Sequence, residues 1–325
     1  MKYVFGPVPS RRLGQSLGID TIPLKTCNWN CVYCQLGRSV PMTSERREYF
    51  PRADILAEVE QVLAAHQTGE IDWVTFVGSG EPTLHSGIGW LIRQVKTLTN
   101  LPVAVITNGS LLYLPEIREE LSAADAVLPT LDAGNAWLYR QINRSGQRFT
   151  FDQLVEGLYL FRQTYPGKLW IQLMLIQGMN DTEEALQELA ILLDYIQPDQ
   201  VHITLPVRPP AEAWVRPSDE SGLRRAEEIL GKVVPISTPA ASEARAVRVG
   251  DLAKTVLSVV TRHPMQEEEL LILLSRWSAD EVHAALDDLA GRREVQAVER
   301  NGQTFWSAAG AKFPKKSVQS AERSG

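Results

Sequence analysis

The 325-residue chain is predicted to be an α/β protein, a mainly parallel sheet flanked by helices and followed by a small second domain. Three observations predict it. From residue 15 to about 235, short β-branched apolar runs alternate with longer stretches of helical period, which is the pattern of repeated βα units. Hydrophobic residues make up 44% and charged residues 22%, the balance of a globular chain with a large core. Past residue 250 the pattern changes to three helical stretches and a hairpin.

Six strands are expected at residues 17–22, 73–77, 103–106, 126–129, 169–176 and 201–205. Between them, Ile55, Leu56, Val59, Val62 and Leu63 recur at helical spacing, as do Leu186, Leu189, Ala190 and Leu193, so both sets form core-facing stripes. Asp181-Thr182-Glu183-Glu184 supplies the polar and acidic start that a helix favours, and Pro198 stops that helix. These elements make up a domain over residues 1–235. Residues 236–250 lose periodicity and read as a linker. Residues 251–310 then read as three helices and a hairpin turned at Asn301-Gly302, a winged helix-turn-helix-like domain. Residues 311–325 are basic and polar and are expected to be disordered.

The formal charge of −6 argues against a broad electrostatic grip on nucleic acid, although it leaves room for a local basic patch. No stretch is long and apolar enough to cross a bilayer, and the first residues lack the layout of a secretory signal, so a cytoplasmic location is expected. All three cysteines fall within eight residues. Their odd number and tiny loops rule out a disulfide framework and point to metal.

The cysteines form Cys27-N-W-N-Cys31-V-Y-Cys34, a C-x3-C-x2-C spacing directly after the first expected strand. Soft thiolates suit iron–sulfur clusters, and a loop this short can curl around one corner of a cubane. Three ligands leave one iron open for a substrate or cofactor. Zinc, the competing reading, would need a fourth ligand, and the five histidines lie far off in sequence.

This loop resembles the signature of the radical S-adenosylmethionine (SAM) superfamily, with Tyr33 matching the aromatic before the third cysteine. The resemblance implies a partial (β/α)6 barrel and a [4Fe–4S] cluster whose open iron is chelated by S-adenosylmethionine. It also implies reductive cleavage to a 5′-deoxyadenosyl radical that abstracts hydrogen from the substrate, and an external electron donor such as flavodoxin or ferredoxin. Gly78-Ser79-Gly80-Glu81-Pro82 after the second strand is similar to the family's G-G-E-P motif, with serine for one glycine. By that resemblance Ser79, Gly80, Glu81 and Pro82 receive the cofactor ammonium. Asp132 corresponds to the ribose contact, or else is a turn aspartate beside Gly134 and Asn135. Ile176, Gly178 and Asp181 are similar to the adenine support, and Asn108 either lines the same rim or makes a turn with Gly109.

A narrower resemblance, carried by F-G-P-V-P-S-R-R-L-G and L-P-V-R-P-P-A-E-A-W-V, is to radical enzymes described as relatives of the wyosine-forming tRNA enzymes. It covers about residues 3–235. The 4-demethylwyosine synthases carry extra cysteines for a second cluster, and this chain has none to spare.

Arg11, Arg12 and Arg208 flank the expected barrel, where their guanidinium forks suit either an anionic substrate, the methionine carboxylate or structural ion pairs. His202 and His85 read as structural histidines. Residues 251–310 carry ten Asp/Glu against six Lys/Arg, so a protein or peptide partner fits this domain better than a duplex. The leading expectation is hydrogen abstraction from an RNA, a peptide or a small metabolite. An activase of a glycyl-radical enzyme and a non-catalytic iron–sulfur redox or regulatory protein are the alternatives. Because every cluster and cofactor motif precedes the linker, residues 251–325 are expected to be separable from the chemistry.

Overall fold

The computed structural model describes residues 2–10, 12–231, 233–235 and 251–314, the backbone alone at 233–235. Arg11, the expected linker and the tail beyond residue 314 lie outside the described residues. Eight strands form one sheet whose spatial order follows the chain. β1 (Val4–Ser10) pairs antiparallel with β2 (Gly14–Ile19). From β2 onward the strands run parallel: β3 (Trp73–Phe76), β4 (Val103–Thr107), β5 (Ala126–Pro129), β6 (Lys168–Met174), β7 (Gln200–Thr204) and β8 (Val233–Pro235). β1 and β8 are the two edges, so the sheet curls into a partial barrel without closing.

Helices cover the outside: α1 (Arg52–Ala64), α2 (Ile88–Leu98), α3 (Pro115–Leu121), α4 (Ala136–Ile142), α5 (Phe151–Thr164), α6 (Glu183–Ile196) and α7 (Glu220–Leu230). Strand alternation sorts the two faces. Leu17, Val74, Phe76, Ile171, Leu173, Val201 and Ile203 join the helix-facing core, with Ile55, Val59 and Val62 of α1 and Leu186, Leu189 and Leu193 of α6. The residues between them turn inward. α6 starts at Thr182, whose side chain accepts from Ala185 N, as the acidic run predicts.

All six expected strands are present, within a few residues. β1 and β8 are additional. V-F-G-P-V-P-S holds two prolines and is not among the expected strands, but an edge strand tolerates residues that cannot donate to a ladder. Its register shifts between Phe5 and Val8, around Gly6 and Pro7.

The C-terminal segment contains α8 (Leu252–Arg262), β9 (Met265–Gln266), α9 (Glu267–Leu273), α10 (Ala279–Gly291), β10 (Val295–Arg300) and β11 (Gln303–Ala308). β11 sits between β10 and β9. The expected hairpin turns at Asn301 and Gly302, both with positive φ (49° and 78°), the pairing that matches strand twist. This segment packs on β1. Phe5 and Val8 share one buried core with Val256, Val259 and Val260 of α8, Leu270 of α9 and Leu286 of α10. No helix among the described residues is long and apolar enough to cross a membrane.

Candidate active site

After β2 the chain runs through Asp20 into the cysteine loop, and backbone bonds fix that loop from two sides. Lys25 N donates to Ser79 O at 2.5 Å and Glu81 N donates to Thr26 O at 2.9 Å, so the residues before Cys27 are zipped to the loop after β3. On the far side Val32 N donates to Ile142 O at 2.9 Å, at the end of α4. The three thiols line a single cavity of about 400 Å³ in the barrel lumen. Asn108 Nδ2 lies 3.9 Å from the Cys27 sulfur, Asn143 Nδ2 3.8 Å from the Cys31 sulfur and Lys25 Nζ 3.0 Å from the Cys34 sulfur.

Burial pushes the Cys27 thiol up to about 12 and holds Cys31 well above the ordinary thiol value. Burial also opposes charge on Lys25, but Cys34, Cys27 and Cys31 beside it hold its pKa above the usual lysine range. Thiols held this high release protons only when a metal takes their place, so metal loading here is coupled to proton release. Among the described residues no three His, Cys, Asp or Glu side chains are arranged around a single ion. Three thiols along one cavity wall, with no fourth ligand converging, suit a cluster that takes one thiolate per iron.

The loop after β3 is held by close backbone approach. A Cβ on Gly80 would run into the Thr26 carbonyl, so only glycine fits there. Gly78 and Gly80 line the cavity. Ser79 turns the other way, giving its hydroxyl to Asp20 Oδ2 at 2.6 Å and its N–H to Asp20 Oδ1 at 3.2 Å. Glu81 is buried and its carboxylate is a hub: it accepts from Thr83 N and Oγ1, from Thr107 Oγ1 at 2.6 Å and from Asn108 N at 2.6 Å. Pro82 opens a buried 3-10 turn, Pro82–Leu84.

Tyr33 lines the cavity, and its hydroxyl donates to Asp132 Oδ2 at 2.6 Å. Asp132 also accepts from Asn143 Nδ2 at 2.6 Å and Met174 N at 2.8 Å, while burial raises its pKa to about 6. The turn after β6 is built from its own polar groups: Ile176 N donates to Asn180 Oδ1 at 2.7 Å and Gly178 N to Asp181 Oδ1 at 2.7 Å. Asp181 takes a further bond from Ser218 Oγ at 2.6 Å, so its carboxylate is engaged in the turn.

The structure therefore brings Cys27, Cys31, Cys34, Tyr33, Gly80, Arg12 and Arg208 to one cavity. It places the side chains of Ser79, Glu81, Asp132 and Asp181 behind that wall, bonded to the loops that form it. His202 and His85 are buried; His85 is bonded at both ring nitrogens, to Phe50 O and Gly87 N. Sequence reasoning missed Lys25, Gln172 and His263. The lone polar residue in L-W-I-Q-L-M was a legible sign for Gln172, but His263 reaches the cavity only through the packing of α8 on β1.

The radical SAM superfamily model matches residues 21–190, more than half of the chain. The chain belongs to the radical SAM superfamily. It is 32% identical to a UPF0026 protein of Methanocaldococcus jannaschii over 317 residues, 94% of this chain and 96% of that one. It is 36% identical to the protein named GTPase Obg of Brachyspira hyodysenteriae over 282 residues, 87% of this chain but only 39% of that relative's length. Among solved structures, a radical SAM methyltransferase from Sphaerobacter thermophilus matches with a TM-score of 0.54 at 16% identity, covering 70% of this chain and 68% of that one. This likeness shows the radical SAM fold. Members of the superfamily use a [4Fe–4S] cluster and S-adenosylmethionine, so this chain is a radical SAM protein with that cofactor pair.

Proposed function

We propose that this radical SAM enzyme holds one [4Fe–4S] cluster on Cys27, Cys31 and Cys34 and performs hydrogen abstraction on its substrate. One observation carries the reading: the three thiols, Gly78 and Gly80 line the same cavity, and their two loops are tied together through Lys25–Ser79 and Thr26–Glu81 bonds. A cluster held by Cys27, Cys31 and Cys34, reduced by an external flavodoxin or ferredoxin, would supply the electron for cleaving the sulfonium of S-adenosylmethionine and so the radical chemistry that removes hydrogen from the substrate.

The chain's own residues position and shield. Lys25 places a cation beside the cluster position. Gly80 lets backbone acceptors approach the cofactor ammonium, and Glu81 both fixes that loop and adds negative charge near it. The turn at Ile176 and Gly178, pinned by Asn180 and Asp181, supplies the adenine edge, and Tyr33, held from behind by Asp132, forms the rim with Asn108 beside Cys27. Every cysteine is used in this loop, so chemistry that needs a cysteine-ligated auxiliary cluster falls outside the proposal. A redox sensor would need no ammonium cradle, and a glycyl-radical activase would need a partner's loop to pass the C-terminal wall of the cavity.

Anaerobic reconstitution tests it. About four irons per chain are expected, with 5′-deoxyadenosine formed on adding S-adenosylmethionine and dithionite. Each cysteine-to-alanine variant should lose both. One tightly bound zinc with no cluster under strict anaerobiosis would refute the reading.

A further inference from the structure

Inward positions of a small barrel are ordinarily filled by large branched side chains. Here β2, β3, β6 and β7 turn Ser16, Thr75, Gln172 and Thr204 inward, and all four line the cavity that holds the thiols. The lumen is thus a chamber of mainly apolar lining, with residues such as Leu13, Ile106 and Met174, into which these four polar side chains are set. Ser16 and Thr75 share a 2.6 Å bond between hydroxyls. Gln172 gives its amide nitrogen to Leu128 O at 2.7 Å, which aims its carbonyl oxygen at Arg12, and Arg12 donates to it. A guanidinium entering from the β1–β2 turn is therefore held in a fixed direction inside the lumen.

Arg208, beyond β7, lines the same chamber from the C-terminal side, where it donates to Pro264 O and lies 3.7 Å from Glu269. His263 also lines the chamber. Burial, then the guanidiniums of Arg208, Arg262 and Arg12, hold its pKa down to about 3. Burial does most of this and the guanidiniums add to it; Arg262 is paired with Asp20, so of these three cations Arg12 and Arg208 are left to face the chamber.

We propose that Arg12 and Arg208 form an oxyanion site for the substrate, a small molecule bearing a carboxylate or phosphate and presenting its reacting carbon toward the cysteines. The inference rests on reading the cysteine end as the cluster site. The cluster and cofactor would share this cavity of about 400 Å³, and Phe5, Val8, Val259 and Met265 wall it, so only a small part is left for the substrate. A metabolite fits these bounds better than a folded RNA or a long peptide.

The test is calorimetric titration of the reconstituted enzyme with phenyl phosphate, phenylacetate and neutral benzyl alcohol. At least one anion should bind about tenfold or more tightly than the alcohol, and which one does so separates phosphate from carboxylate. Arg12→Gln and Arg208→Gln should each weaken that anion about tenfold or more, with Arg12→Lys restoring part. Melting curves identify any variant that misfolds, and the other arginine then carries the test. Equal binding of charged and neutral probes would overturn the proposal, as would loss of S-adenosylmethionine affinity in Arg12→Gln, which would assign that guanidinium to the cofactor. A parent protein that keeps the charge preference but takes no cluster would sink the cluster reading and leave the oxyanion site standing.

Discussion

The Arg262 guanidinium and the Asp20 carboxylate form an ion pair at 2.8 Å, with their side chains only 9% and 3% exposed. Asp20 is the same carboxylate that receives the hydroxyl and N–H of Ser79. A residue of α8 therefore reaches the G-S-G-E-P loop through one intermediate. Arg262 also donates to Ser258 O and Lys2 O, so the guanidinium ties β1's approach, α8 and the cofactor loop together.

Replacing Arg262 by methionine should strand a buried carboxylate, and removing one partner of such a pair costs about 3–5 kcal/mol. Thermal unfolding should register the loss. S-adenosylmethionine affinity should fall with it, and a double-variant cycle with Ser79→Ala should show non-additivity. Additive effects would mean that the pair is structural and does not position the loop. Deleting residues 251–325 should cost more still, since Phe5 and Val8 would lose their packing partners.

Glu81→Gln keeps the size of the side chain but removes the charge that Thr83, Thr107 and Asn108 address. Charge-assisted hydrogen bonds are worth about 1.5–3 kcal/mol, so stability should fall by about that order, and S-adenosylmethionine should bind more weakly as the loop loses its seating and its negative charge. Equilibrium binding beside a melting curve separates the two jobs of Glu81. Lower stability with unchanged affinity would confine Glu81 to holding the loop.

Gly80→Ala should prevent the loop after β3 from seating on Thr26, because the new methyl group meets a backbone carbonyl that cannot move aside. Iron content after reconstitution should drop, along with cofactor binding. Normal iron loading in this variant would show that the thiols do not depend on the zipped loops.

Stability should fall in acid. Unfolded histidines take up protons below about 6.5, whereas native His263 resists until about 3 and His202, held down by burial and by Arg12, until about 4. The unfolded state thus binds more protons between those values, and stability declines as pH drops through that window, by at most about 1.4 kcal/mol per pH unit for each group. His263 borders the cavity, so hydration there reduces its share. Urea midpoints at pH 7, 6 and 5 should show the slope, and His263→Phe should flatten it. An unchanged slope would count against a neutral buried His263.

What was legible in the sequence was local. Cys27, Cys31 and Cys34 lie within one loop, and the G-S-G-E-P loop follows a strand whose apolar run is plain. The parallel strands could be read because each is bounded by a helix of clear period. β1 was hidden by its prolines, whose fit depends on being at an edge. The partners of Glu81 were hidden for a different reason: Thr107 ends the next strand and Asn108 follows it, and only sheet order makes them neighbours. The chamber arginines were suspected as a group, but the aim of Arg12 comes from Gln172, which is 160 residues away.

The core shared by Phe5 and α8 also sets an order of assembly. Asp20 and Arg262 are separated by 242 residues, and at a synthesis rate of about 5–20 residues per second the later partner emerges roughly 12–50 s after the earlier one. Throughout that interval β1 has no cover, and the lumen stands open on the side that α8 later walls. The wall that α8 gives the lumen is therefore made well after the cysteines it faces.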